Sequence, residues 1–231
     1  ITDQQIYDGP GRWSINIDNC CFSGCRSISS QPHGGAIRTK ISDSVLNITS
    51  CIFKNCYAET WGGAIMSESQ NFYISSTIFS GCQAETGMAL FYNLYKVTTL
   101  FGYHLTLNQI GFTSNTGNHD VNDINISEMN VLNTNFSNNI NAQQNQPTSA
   151  VQYCCALSFL APTWNQNLKF INLIGNKGDF LIDFNEKPNG QCYYVNIIGN
   201  TGLNYFFHFD LVMSNPLNGE PFINMNNFNF F

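Results

Sequence analysis

An internal repeat constrains this chain more tightly than any other feature, because self-similarity at a regular interval is the signature of stacked architectures. Ile15 to Cys25, Leu46 to Cys56 and Phe72 to Cys82 align without gaps. Each opens with an apolar-x-apolar triplet, reaches a Phe seven residues on, and closes on a Cys three residues later. Leu105, Leu107, Phe112 and Asn115 make a fourth copy, and Met129, Val131, Phe136 and Asn139 a fifth. Two looser copies end at Leu173-Ile174-Gly175-Asn176 and Ile197-Ile198-Gly199-Asn200. A second element trails the first: His33-Gly34-Gly35-Ala36-Ile37 and Trp61-Gly62-Gly63-Ala64-Ile65 are near copies. Thr86-Gly87-Met88-Ala89-Leu90 is a weaker copy, and Cys154-Cys155-Ala156-Leu157 extends the series. Phe22, Phe53, Phe79, Phe112 and Phe136 lie 31, 26, 33 and 24 residues apart. The variable stretch falls between the two elements, as it would if loops were inserted at one corner.

The local pattern is that of strands. Apolar residues alternate over short runs, β-branched and aromatic types are common, and Gly or Asn ends each run. No apolar stripe of helical period runs long enough for a helix. Short strands recurring at this interval are too sparse for hairpins, but they suit a coil whose turns stack about 4.8 Å apart. The chain therefore reads as all-β: a single domain over residues 1–231, folded as a right-handed parallel β-helix of about seven to eight coils. Stacking would make Phe22, Phe53, Phe79, Phe112 and Phe136 an internal aromatic ladder. It would place Cys25, Cys56, Cys82, Asn115, Asn139, Asn176 and Asn200 in one corner column, where Asn amides satisfy the backbone of a tight bend.

These motifs resemble the repeats of the polymorphic outer membrane protein family, which alternate GGA[I/L/V] and FxxN tetrapeptides. The matches are Gly34 to Ile37, Gly62 to Ile65, Phe112 to Asn115 and Phe136 to Asn139, while Phe22 to Cys25, Phe53 to Cys56 and Phe79 to Cys82 substitute Cys for Asn. The resemblance covers residues 13 to 140 well and residues 165 to 200 loosely. It implies a pectin-lyase-like β-helix displayed at a cell surface, with adhesion as the associated role.

Composition narrows the partners. Only 10% of residues are charged and the net charge is −6, with no basic run, so nucleic acid has no electrostatic foothold. No apolar run approaches a membrane span, and the polar opening of the chain is not a signal peptide. The chain reads as a mature product or an excerpt of a longer one. Nine cysteines, six of them before residue 83, and sequons at Asn47, Asn125 and Asn135 favour an extracellular or cell-surface setting. The cysteines carry two readings. Cys20 with Cys51, and Cys25 with Cys56, stack one rung apart and are disulfide candidates; equally, Cys fills a buried ladder as a small hydrophobe.

Chemistry is sparse. No zinc spacing, phosphate loop or cofactor motif is present, so no metal and no cofactor is expected. His119, Asp120 and Asp123 form a loop that fits either a solvated turn or a calcium or sugar contact. Arg38 and Lys40 follow the first Gly-Gly-Ala-Ile. Asp183 and His208 would face one another if their segments stack. The NTD, DD, GHG and RIK motifs of polygalacturonases are absent. The expectation is a non-catalytic surface module that binds a protein or glycan, copies of itself, or the rest of a longer chain. A carbohydrate-active enzyme and a filament subunit are the alternatives. The aromatic segment Phe222 to Phe231 is expected to fold over the last rung as a cap, to lead into a longer chain, or to dock on another chain.

Overall fold

The computed structural model describes residues 5–7, 13–28, 32–41, 43–93, 104–117, 122–125, 128–141, 154–159, 165–185, 189–202, 206–210 and 222–230. Among them there is no helix, and the strands form three sheets of twelve, five and eight strands. The pairings are parallel throughout, and neighbouring strands come from successive repeats. The chain visits the sheets in a fixed order. Ser14–Asp18 and Cys21–Ser23 lie in the broad sheet, Arg26–Ser27 in the narrow one and Ile37–Thr39 in the eight-stranded one. Val45–Thr49 then returns to the broad sheet, paired in register with Ser14–Asp18.

Left-handed residues mark the corners. One column, Asn19, Ser50, Ser76, Gln109, Asn133, Phe170, Tyr194 and Asn227, has φ between 48° and 59°. A second holds Gly24, Asn55, Gly81, Ser114, Asn138, Gly175 and Gly199. A third holds Gly34, Gly62 and Gly87, with φ of 60° to 65°. At Gly62 a Cβ would run into the carbonyl of Ile65, so the Gly-Gly-Ala-Ile element begins with glycine for steric reasons. The short strands expected from the sequence hold in the early repeats, but Glu128–Ser137, Asn165–Ile174 and Asn189–Ile198 each run ten residues. There a single left-handed residue turns the chain and the ladder resumes immediately after it.

Like residues stack on like. The rings of Phe22, Phe53, Phe79, Phe112 and Phe136 sit 4.8, 4.9, 5.0 and 5.0 Å apart, with interplanar angles of 4° to 11°. Leu173 and Ile197 continue that column in register. Two further apolar columns, Leu46, Phe72, Leu105, Met129 and Ile48, Ile74, Leu107, Val131, are buried beside it. The corner asparagines form a continuous chain of amides. Asn139 Nδ2 donates to Asn176 Oδ1 and to the Phe112 carbonyl, both at 3.0 Å, while Asn139 Oδ1 accepts from the Asn115 backbone and side chain. Asn176 repeats the pattern with Asn200 and the Phe136 carbonyl.

The cysteines correct one expectation. Cys20, Cys25, Cys51 and Cys56 are free thiols, as is Cys82. In-register strands hold equivalent Cβ atoms about 4.8 Å apart, whereas a disulfide needs roughly 3.8 Å. The thiols instead imitate the asparagines: Cys82 Sγ donates to the Phe53 carbonyl and Cys56 Sγ to the Phe22 carbonyl. Hydrogen bonding to Cys82 and burial push the Cys56 thiol up. Cys82 is fully buried, and its N–H already bonds Asn115 Oδ1. Cys82→Asn is therefore expected to lengthen the amide chain by one member, raising stability by about 1 kcal/mol. Paired chemical-denaturation curves check this, and a lower midpoint contradicts it.

Phe222–Phe230 is a further strand of the broad sheet, paired with Asn189–Ile198. Phe228 packs edge-on to Phe207 at 5.5 Å.

Candidate functional site

Two outer faces carry the chemistry. On the broad sheet, outward positions form polar ladders. Asn172 Nδ2 donates to Asn135 Oδ1 at 2.5 Å, Asn196 to Asn172 at 2.7 Å and Asn229 to Asn196 at 2.9 Å. Asn167 donates to Asn130, and Asn133 to Asn108. Each amide in such a chain keeps a second N–H and a second lone pair for a partner. In the last three strands of this face the only charged residue is Lys169, whose ammonium lies 5.8 Å from the Tyr193 ring. Two sequon residues lie here: the Asn47 amide donates to Asn16 at 2.7 Å, and Asn135 is exposed. Asn125 lies in strand Asn122–Asn125 of the eight-stranded sheet.

Amid this polar face stand two aromatic rings. Phe170 and Tyr194 are 52% and 50% exposed, yet they stack on each other at 5.0 Å and 5°. Both occupy the left-handed corner column, with φ of 58° and 57°, where other coils use Asn, Ser or Gln. A left-handed backbone is unfavourable for a bulky residue, by about 1–3 kcal/mol.

The second face belongs to the eight-stranded sheet. Strand pairing sets Arg38, Met66, Phe91, Asp123, Ser158, Asp183 and His208 in one register line, one residue per strand. The neighbouring line, Ile37, Ile65, Leu90, Leu157 and Ile182, belongs to the hydrophobic core, so alternation turns Arg38, Met66, Phe91, Ser158 and Asp183 to the opposite side. Arg38, Met66, Phe91, Ser158 and Asp183 are nevertheless buried. Four residues that the sequence marked separately, Arg38, Asp123, Asp183 and His208, thus share one line. Asp183 and His208 are direct register partners. Ser158 was not marked. Aligning Ala156-Leu157 with Ala89-Leu90 would have set it opposite Phe91. His119 and Asp120 lie outside the described residues.

At the far end of this sheet, His33, Trp61 and Phe91 form a stack with centroids 4.4 and 5.1 Å apart. Burial, reinforced by the nearby charges of Arg38 and Lys40, lowers the His33 pKa to about 4 from the usual 6.5. Above pH 6.5 both folded and unfolded chains hold it neutral. Below that, the unfolded chain takes up a proton that the folded one refuses, so stability falls from pH 6.5 to about 4. Melting temperatures across this window should fall less for His33→Gln than for the parent chain; equal slopes contradict the assignment.

Among the described residues, no group of three or more His, Cys, Asp or Glu side chains could hold a metal ion. No protein-family model, curated protein or solved structure matches the chain.

Proposed function

We propose that the chain is a right-handed parallel β-helix of eight coils. We further propose that it serves as a non-catalytic, extracellular or cell-surface adhesion module of the polymorphic outer membrane protein type. Three parallel sheets visited in constant order support the coil, and the right-handed sense follows from the strong bias of parallel crossovers. The partner, a cell-surface protein or glycan, would lie on the broad sheet.

One observation carries this reading: Phe170 and Tyr194 are exposed aromatics held in strained backbone positions. Asn would hold that corner at lower strain with the loss of only the mutual ring stack, so the rings read as a contact surface for something outside. The amide ladders beside them offer uncommitted donors and acceptors at a fixed spacing.

The test is a double variant, Phe170→Asn with Tyr194→Asn. Stability should hold or rise by up to about 1 kcal/mol, since relief of strain outweighs the lost ring stack. Adhesion of the purified chain to cells, read by flow cytometry, should fall at least tenfold. Unchanged adhesion at unchanged stability would remove the broad sheet from the account.

A further inference from the structure

We propose that Asn135 is an attachment site for an N-linked glycan whose first sugar lies over Gly111 against Ile78. The proposal rests on the extracellular reading above and adds a modification to it, on a part of the broad sheet that leaves the Phe170–Tyr194 pair open.

The argument begins with Gly111. It stands in an outward line of the broad sheet, with Cys21, Ile52 and Ile78 on one side and Asn135, Asn172 and Asn196 on the other. Each of those six carries a side chain where Gly111 has none. The fold does not call for a glycine at this point. Its backbone is not left-handed. Among the described residues an added Cβ would meet only Ile78 Cγ1, at 3.8 Å, an ordinary contact. Glycine inside a strand weakens it, and marks places where something else comes close to the backbone. The gap runs from Ile78 to Asn135, about 10 Å across two strand spacings. On the far side it opens onto apolar surface, for Ile78 is 46% exposed and Ile52 43%.

Asn135 borders this gap. It is exposed, it is the register neighbour of Gly111, and strand alternation sends Asn135 and Ser137 outward while Phe136 enters the core. Asparagine and hydroxyl two residues apart are the acceptor pair for N-glycosylation. On the side away from Gly111, Asn135 Oδ1 accepts from Asn172 Nδ2. Glycosylation keeps that bond, because it uses the nitrogen. Asn135 Nδ2 attacks C1 of an oligosaccharide carried on a polyprenyl diphosphate. The N–C1 bond forms, and the C1–O bond breaks with its electron pair on the diphosphate oxygen. One amide proton passes to a base of the transferase, so one N–H and the carbonyl remain. The sugar then covers Ile78 with its apolar face, removing exposed apolar surface from water. Asn47 offers the contrast. Its Nδ2 donates to Asn16 Oδ1 at 2.7 Å, and its other register neighbour is Tyr73. A glycan there has no vacant position beside it.

Secretion of the full chain from a eukaryotic cell line, followed by glycopeptide mass spectrometry, tests this. Most molecules should carry a glycan at Asn135, and Ser137→Ala should abolish it while keeping the asparagine. The glycosylated chain should melt about 2 °C or more above the Ser137→Ala chain. Asn135→Gln supplies a second sugar-free reference should Ser137→Ala be poorly secreted. Gly111→Ile should keep or raise the melting temperature of the sugar-free chain and lower that of the glycosylated one. A secreted chain with Asn135 bare overturns the proposal, as does a glycan at Asn47 in its place. Equal effects of Gly111→Ile on the two forms overturn the seat over Gly111. Adhesion lost in the Phe170/Tyr194 double variant, with Asn135 bare in the parent chain, overturns the glycan alone. Adhesion unchanged in that variant, with Asn135 occupied, removes the broad-sheet partner and leaves the glycan standing.

Discussion

Phe79→Ala is expected to destabilise the chain by about 3–5 kcal/mol, among the largest effects available from one substitution. Phe79 has no exposed surface and stacks between Phe53 at 4.9 Å and Phe112 at 5.0 Å. Truncation removes two ring contacts and leaves a void in a column whose spacing is fixed by backbone hydrogen bonds above and below. The backbone cannot collapse into the gap without breaking register with both neighbouring strands. Ile78, next in sequence, is 46% exposed on the other face, so Ile78→Ala should change stability by less than about 0.5 kcal/mol. Guanidinium denaturation of the pair checks the contrast. Equal losses would mean that Phe79 is not inside a column.

Asn139→Ala carries the second large effect. Asn139 has no exposed surface, and its amide bonds the Phe112 carbonyl, Asn176 Oδ1, and both nitrogens of Asn115. Removing it strips partners from two buried backbone groups, the Phe112 carbonyl and the Asn115 N–H. Each orphaned group costs about 1–3 kcal/mol, so the expected loss is about 2–6 kcal/mol. Because each strand pairs only with the strands beside it, the damage should be local. Hydrogen exchange should quicken around residues 112–117 and 171–176, while the coils near Cys51 and Cys56 keep their protection. Uniform loss along the chain would contradict a stacked arrangement.

Much of this was legible because stacking turns sequence identity into spatial contact. The Phe column, the Asn column and the pairing of Ile37 with Ile65 and Leu90 are all read directly from alignment of the copies. The ten-residue strands were not legible, since a lone left-handed residue such as Asn133 leaves no mark distinct from a turn. The cysteines left two readings open in the sequence, a bridge or a small buried ladder residue, and the thiols are free. The line from Arg38 to His208 was only partly visible. Its members are chemically unlike, so no column of identical residues announced it, and a register shift between Cys154 and Leu157 obscures the spacing. The exposed pair Phe170 and Tyr194 was missed altogether, because nothing in its sequence separates an exposed aromatic from a core one.

The most direct test of stacked coils is a set of electron-spin distances from one fixed label at Ile52. Its partners are in-register outward positions of later coils: Asn135, Asn172, Asn196 and Asn229. Genetically encoded label sites avoid the native thiols. The account predicts distances that lengthen by about 5 Å with each added coil, in chain order. Distances that fail to grow with coil number would contradict it.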